Sequence, residues 1–175
     1  MLINGAGGGA GSFAIQLAKA AGLHVTAVDS AAKLDVMRGL GADEVIDYRV
    51  QDFTRTGPYD LVVDLVASRS VFAYRRALAP RGRYFMVGGT TRTILRLLTL
   101  GTLVGLLTRT RLGILVVRQG PAHFVPLADR IVAGDVTVRV DSIHPLEAVP
   151  EALARHGEGR ALGKVVIAVA DEPQS

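Results

Sequence analysis

The chain contains no cysteine. That absence excludes a disulfide framework, thiolate zinc sites, iron–sulfur clusters and a cysteine nucleophile, and it points to a cytoplasmic setting. Aromatic residues are sparse, with five phenylalanines and four tyrosines, and Lys19, Lys33 and Lys164 are the only lysines. The net charge is +4, yet the arginines are scattered from Arg38 to Arg160 without a long basic block, which argues against a nucleic-acid partner. The opening Met1-Leu2-Ile3-Asn4-Gly5 lacks the basic and apolar regions of a signal peptide. The most membrane-like stretch, Leu97 to Leu107, is flanked by Arg96 and Arg109 and broken by Gly101 and Gly105. A bilayer needs about 20 residues, so no membrane partner is expected, and a buried helix or an apolar lip beside a pocket or partner is predicted instead. His24, His123, His144 and His156 show no metal-ligand spacing, so no metal is expected in this chain. No Tyr-x-x-x-Lys occurs, and Asp43-Glu44 and Asp60/Asp64 read as structural caps, so no catalytic base or nucleophile is nominated.

What is present alternates. Apolar runs at Met1 to Ile3, His24 to Val28, Glu44 to Ile46, Tyr59 to Leu65, Arg83 to Val87 and Leu112 to Arg118 are separated by helical patterns. Those patterns begin near Gly9 to Ala21, Ala31 to Leu40 and Ser70 to Ala79. Continuous apolar strands suit a parallel sheet covered on both faces. The reading is an α/β Rossmann fold, a doubly wound parallel six-stranded sheet with helices on both faces over residues 1–137. A helix near Ala122 to Ala133 precedes a further strand, helix and strand over 138–170, with a polar tail at 171–175.

The loop Gly5-Ala6-Gly7-Gly8-Gly9-Ala10-Gly11 joins the first strand to the first helix. The fingerprint G-x-G-x-x-G fits best on Ala6, Gly8 and Gly11, with alanine at the tight turn. Gly8 would let the backbone approach a pyrophosphate, and Gly11 would let the helix pack on the strand. Unpaired N–H groups at the start of that helix attract phosphate. Asp29 follows Gly11 by 18 residues, near the place of an acid that hydrogen-bonds a ribose. Asp29 could instead cap the next helix, with Ser30 competing for that duty.

Two runs carry a more specific resemblance: Ile3 to Lys19, and Leu40-Gly41-Ala42-Asp43-Glu44-Val45-Ile46-Asp47-Tyr48. With Tyr59 to Asp64, Val87-Gly88-Gly89 and Gly163 to Ile167, they resemble the quinone-oxidoreductase-like and zinc-type alcohol-dehydrogenase-like branches of the medium-chain dehydrogenase/reductase superfamily. The resemblance covers nearly the whole chain but only the carboxyl-terminal portion of the family. It implies that Ala6, Gly8, Gly9, Ala10 and Gly11 lie along the pyrophosphate, and Asp29, Ser30 and Lys33 at the adenosine ribose. Tyr48 would stand beside that ribose or its phosphate, and Val66, Ala67, Gly88 and Gly89 would flank the nicotinamide. Lys33 could equally be an exposed helix residue, and Tyr48 could cap the sheet edge.

The cofactor implied is NADP or NAD. Asp29 favours a free 2′-hydroxyl, whereas Lys33, Tyr48 and Ser30 could receive a 2′-phosphate, and family habit tilts the choice slightly to NADPH. The resemblance further implies an amino-terminal GroES-like domain that this chain lacks, which residues 138–170 would normally complete. An exposed apolar patch is therefore expected near Val165, Ile167 and the first strand's edge. A homodimer through the edge strand Leu112 to Arg118 is also expected. The activity implied is hydride transfer between nicotinamide and a quinone, carbonyl, alcohol or activated alkene. Two alternatives stand beside it. One is a catalytically silent nucleotide-binding module or truncated product. The other is a Rossmann-like methyltransferase, against which the Gly9-Ala10-Gly11 helix opening and the Leu40 to Tyr48 run both speak.

Overall fold

The computed structural model describes residues 1–116 and 120–169. Six strands form one parallel sheet: β1 (Leu2–Asn4), β2 (Thr26–Asp29), β3 (Glu44–Asp47), β4 (Tyr59–Asp64), β5 (Leu78–Met86) and β6 (Arg111–Ile114). Their spatial order is β3-β2-β1-β4-β5-β6, the doubly wound Rossmann arrangement. Right-handed crossovers then place α1 (Gly9–Ala20) and α2 (Leu34–Gly39) on one face. The opposite face carries α3 (Val71–Ala77) and a continuous helical segment made of α4 (Thr91–Arg96), one stretch of π-helix (Leu97–Gly101) and α5 (Thr102–Thr108).

Each face closes its own core. Ile3, Ile15, Val25, Ala27 and Met37 pack together under α1 and α2. Leu2, Val28, Phe53, Tyr74, Tyr84, Leu97 and Val104 fill the other side. The side chains of β1 therefore supply both cores, and Leu2 and Ile3 are fully buried. Polar side chains start the helices on the second face: the Ser70 hydroxyl accepts the Ala73 N–H at 3.2 Å, and the Thr90 hydroxyl accepts that of Thr93 at 3.3 Å.

Two features differ from the sequence reading. The apolar stretch, read as a buried helix or an apolar lip, is part of an 18-residue helix, Thr91–Thr108, that buries Leu97 and Val104 and exposes most of its other leucines, and its glycines are packing surfaces. A Cβ on Gly101 would stand 2.9 Å from Leu97 Cδ1, and one on Gly105 2.9 Å from the Thr110 carbonyl. Strand β5 also begins at Leu78, through Pro80 and Gly82, with a register irregularity opposite Tyr59 and Leu61. The carboxyl end of the sixth predicted strand, from Val117 to Arg118, and the tail at 171–175 lie outside the described residues.

After α6 (Pro121–Val132), the chain builds a small parallel pair, β7 (Val140–Pro145) and β8 (Lys164–Ala168), joined through α7 (Val149–Gly157). Gln16 of α1 holds this unit, its side chain accepting the Thr137 N–H at 2.7 Å and donating to the Thr137 carbonyl at 3.0 Å. The apolar patch expected near Val165, Ile167 and the first strand's edge is found beside β8 and not at the first strand. Strand β1 sits between β2 and β4 and has no free edge, while Val165 and Ile167 are half-buried. Side chains alternate across a strand, so the exposed residues are their neighbours: Val166 beside its register partner Ile143, and Val140.

Candidate functional site

A cleft of about 700 Å³ opens at the carboxyl ends of β1, β2 and β4, where the strand order reverses. Doubly wound sheets hold their ligands at that position. Asn4 and Gly5 come from the end of β1, Asp29 and Ser30 from β2, and Leu65 and Val66 from β4.

The glycine loop is built around one carboxylate. Asp29 Oδ2 accepts the Gly7 N–H at 2.9 Å, and its Oδ1 accepts the Ser30 N–H at 2.8 Å. Lys33 is buried, with its Nζ 3.4 Å from Asp29 Oδ1. A Cβ on Gly7 would meet the Lys33 stem at 2.6 Å, so glycine is needed where the loop crosses this pair. The tight turn falls on Gly5, with φ +81°, and not on Ala6 as the fingerprint alignment suggests. Gly5 and Ala6 both donate to the Val28 carbonyl, at 2.9 and 3.1 Å. Ala6 is fully buried, and a Cβ at Gly11 would run into its backbone, which accounts for glycine at position 11. Gly8 is the N-cap of α1 and has no side chain to occupy the N–H groups behind it.

Of the residues singled out in the sequence, Gly8, Gly9, Asp29, Ser30, Lys33, Tyr48 and Val66 line one cleft. Ala6 and Gly11 lie behind the loop, and Ala10 is exposed on α1 outside the lining. Ala67 is buried in a left-handed conformation (φ 55°), its N–H given to Asp64 Oδ1 at 2.7 Å. Gly88 and Gly89 are exposed past the end of β5, away from the lining. The Asp64 carboxylate also takes the Val66 N–H, the Asn4 amide and the Tyr84 hydroxyl, and so ties the end of β4 to β1 and β5. Burial, and then the Asp64 charge, push the Tyr84 phenol far above its ordinary range, so it stays a neutral donor.

Sequence reading passed over the far wall of the cleft. It consists of His156 to Gly159 with Ala161 and Gly163, at the end of α7 and in its connection to β8. Lys164 follows, its Nζ 5.6 Å from the centre of the Phe13 ring, and a Cβ on Gly9 would stand 3.3 Å from that Nζ. More than 140 residues separate this wall from the glycine loop, and no local motif announces the contact. Arg49 and Arg69 were also passed over: Arg49 stacks over Tyr48 at 5.7 Å, and Arg69 lies over Phe53 at 5.7 Å. The buried Nε of Arg69 has no hydrogen-bond partner among the protein atoms. The cleft therefore presents unpaired backbone N–H groups, a helix N-terminus and several cations, a combination suited to an anionic ligand.

A model of the zinc-binding dehydrogenase family matches residues 40–167. The chain belongs to the medium-chain dehydrogenase/reductase superfamily. It corresponds to the cofactor-binding domain of that superfamily. It is 30% identical over 183 residues to a zinc-type alcohol dehydrogenase-like protein of Schizosaccharomyces pombe, covering 95% of this chain and 51% of that one. It is 31% identical over 191 residues to the mitochondrial NAD(P)H oxidoreductase RTN4IP1 of Homo sapiens, covering 97% and 48%. The quinone oxidoreductase of Coxiella burnetii superposes with a TM-score of 0.84 at 26% identity, over 97% of this chain and 52% of that one. The chain thus spans about half the length of the relatives it matches. The zinc of the family's description finds no fit in these residues. Cysteine is absent from the sequence, and among the described residues no three His, Asp or Glu side chains gather into a ligand set.

Proposed function

We propose that this chain forms the NAD(P)H-binding part of an oxidoreductase that transfers hydride between nicotinamide and a quinone, carbonyl, alcohol or activated alkene. The observation that carries this reading is the Asp29 carboxylate, which receives the Gly7 N–H while facing the same cleft as Gly8 and Gly9. That arrangement puts a ribose acceptor and the open N-terminus of α1 in one cleft, as a dinucleotide requires. When bound, the nicotinamide supplies the hydride. The N–H groups at the start of α1 and the Lys164 ammonium would hold the pyrophosphate, and Val66 with Leu65 would exclude water from one wall.

Lys33 supports a slight preference for NADPH. Its ammonium offsets the Asp29 charge that would repel a 2′-phosphate, and Ser30, Tyr48 and Arg49 supply further donors. Fluorescence titration with both reduced cofactors tests this, the expected result being tighter binding of NADPH. A preference for NADH of tenfold or more, about 1.4 kcal/mol, overturns it.

One observation favours a second reading, a nucleotide-binding module without turnover: the match covers only about half the length of the oxidoreductase relatives. NADPH-dependent reduction of a simple quinone by the purified chain decides for the enzyme, and binding without turnover decides for the module. Residues 1–137 form the dinucleotide unit in this proposal, and 138–170 the segment that would complete a substrate domain. The free edge of β6 is the proposed homodimer contact, which light scattering tests.

A further inference from the structure

The turn from β4 to α3 reads Leu65-Val66-Ala67-Ser68-Arg69-Ser70 and carries one charged side chain, Arg69. The turn is held more firmly than a surface loop ordinarily is. Ala67 keeps a left-handed conformation at φ 55°, which a non-glycine residue does only where its surroundings over-determine it. The Asp64 carboxylate takes the Val66 and Ala67 N–H groups at 3.0 and 2.7 Å. The Tyr74 hydroxyl of α3 accepts the Arg69 N–H at 2.9 Å, and Arg96 Nη2 donates to the Arg69 carbonyl at 2.9 Å. The backbone of Arg69 is thus fixed on both sides.

Its charge is left over. Among the described residues the guanidinium enters no ion pair, and its buried Nε has no hydrogen-bond partner. The Asp52 carboxylate, which caps the short helical turn carrying Phe53, is taken by Thr54, Arg55 and Arg76. Packing alone steadies the side chain: its guanidinium carbon lies 5.7 Å from the centre of the ring of Phe53, a fully buried residue. Arg69 is half-buried there and lines the same cleft as Asp29, Ser30 and Tyr48.

We infer that Arg69 binds the base of the nucleotide, an adenine stacked on the guanidinium face turned away from Phe53. A cation withdrawn from water and left unpaired attracts the electron-rich face of a flat ring. Burial of Nε closes the side-on fork through which an arginine takes a phosphate, so the flat face is the surface Arg69 has to offer. Lys33 and Arg49 follow β2 and β3, on the side of Asp29 where a 2′-phosphate would lie, whereas Arg69 reaches the cleft from β4. The base then lies between the two sides. Arg69 takes this part only if the cleft holds a nucleotide, as proposed for it.

Titration followed by the fluorescence of the reduced nicotinamide, with AMP as a displacing ligand, compares the native chain with Arg69→Ala. The expected result is a loss of about tenfold for NADH, NADPH and AMP alike. Arg69→Lys, which keeps the charge but not the flat group, is expected to leave most of that loss in place. In the native chain, AMP is expected to move the Arg69 Nε–H resonance upfield through the ring current of the stacked base, and ribose 5-phosphate, which has no base, to leave it in place. That measurement decides the matter if the variants fail to fold. A loss confined to NADPH overturns the assignment and gives Arg69 to the 2′-phosphate. Unchanged affinities in folded Arg69→Ala, or an equal shift with ribose 5-phosphate, overturn it as well. A native chain that binds none of NADH, NADPH and AMP overturns the nucleotide reading of the cleft and the assignment with it, which keeps the two failures apart.

Discussion

Asp29 touches the glycine loop, the next helical turn and Lys33 at once, so substitutions around it should separate binding from folding. Lys33→Ala is expected to weaken NADPH about tenfold while changing NADH little, as read by fluorescence titration. Equal losses for both cofactors would remove Lys33 from the 2′-phosphate position. Gly11 belongs to folding. Its missing Cβ is the space that the Ala6 backbone occupies, and Gly11→Val should destabilise the chain by about 3 kcal/mol in denaturant unfolding. The task of Gly11 was legible in the sequence, and so was the presence of Asp29. The burial of Lys33 was not, because a lysine three residues into a helical pattern ordinarily faces solvent and only the pairing with Asp29 brings it inward. The turn residue was misplaced by one, since a fingerprint records spacing and the positive φ of Gly5 is a property of the folded loop.

Elements with one strong period were readable, and elements held by distant contacts were not. β1 to β4 are short apolar runs ending in turns, and their bounds differ from expectation by a residue or two. A helix was among the readings of the apolar stretch from Leu97 to Leu107, but its full extent over Thr91–Thr108 was not, because glycine ordinarily signals a break, whereas Gly101 and Gly105 here let the helix lie close to the residues around β6. The wall from His156 to Gly163 depends on Asp141 of β7. That carboxylate is nearly buried, 2.7 Å from Arg155 Nε, and it also accepts the Leu162 N–H at 3.0 Å. The Arg155 hydrogen bonds hold its pKa well below the usual carboxylate range. Asp141→Asn is expected to cost about 2 kcal/mol, reduced from the fully buried case because Arg155 is partly solvated, and to weaken NADPH binding by loosening this wall.

Acid should act on the same element. Because the folded pKa of Asp141 is depressed, its contribution is complete above the unfolded carboxylate value, about 3.9, and declines as pH falls below that toward the folded value. Asp43 behaves alike. The Lys19 ammonium, then the Val25 N–H, lower its pKa to about 2, and its contribution is lost as pH falls from about 4 through about 2. Denaturant midpoints measured from pH 6 to pH 2 should fall most steeply below pH 4. Asp43→Asn should flatten that fall, and an unchanged slope would show that Asp43 takes no part in it.

At the scale of the whole molecule, the strand order β3-β2-β1-β4-β5-β6 places its reversal between β1 and β4, and the cleft opens there. The sheet was legible as a class from the alternation of apolar runs and helices. One wall of the cleft was legible through the glycine loop, but the opposite wall was not, because it is brought up by the reciprocal Gln16–Thr137 hydrogen bonds and by Lys164 beside Phe13. The central claim is that a nicotinamide dinucleotide lies between these two walls. Amide hydrogen exchange of the chain with and without NADPH tests it most directly. The account predicts slower exchange in peptides covering Gly7 to Gly11 and, together with them, Gly157 to Gly163. Unchanged exchange at the glycine loop with saturating NADPH would contradict it.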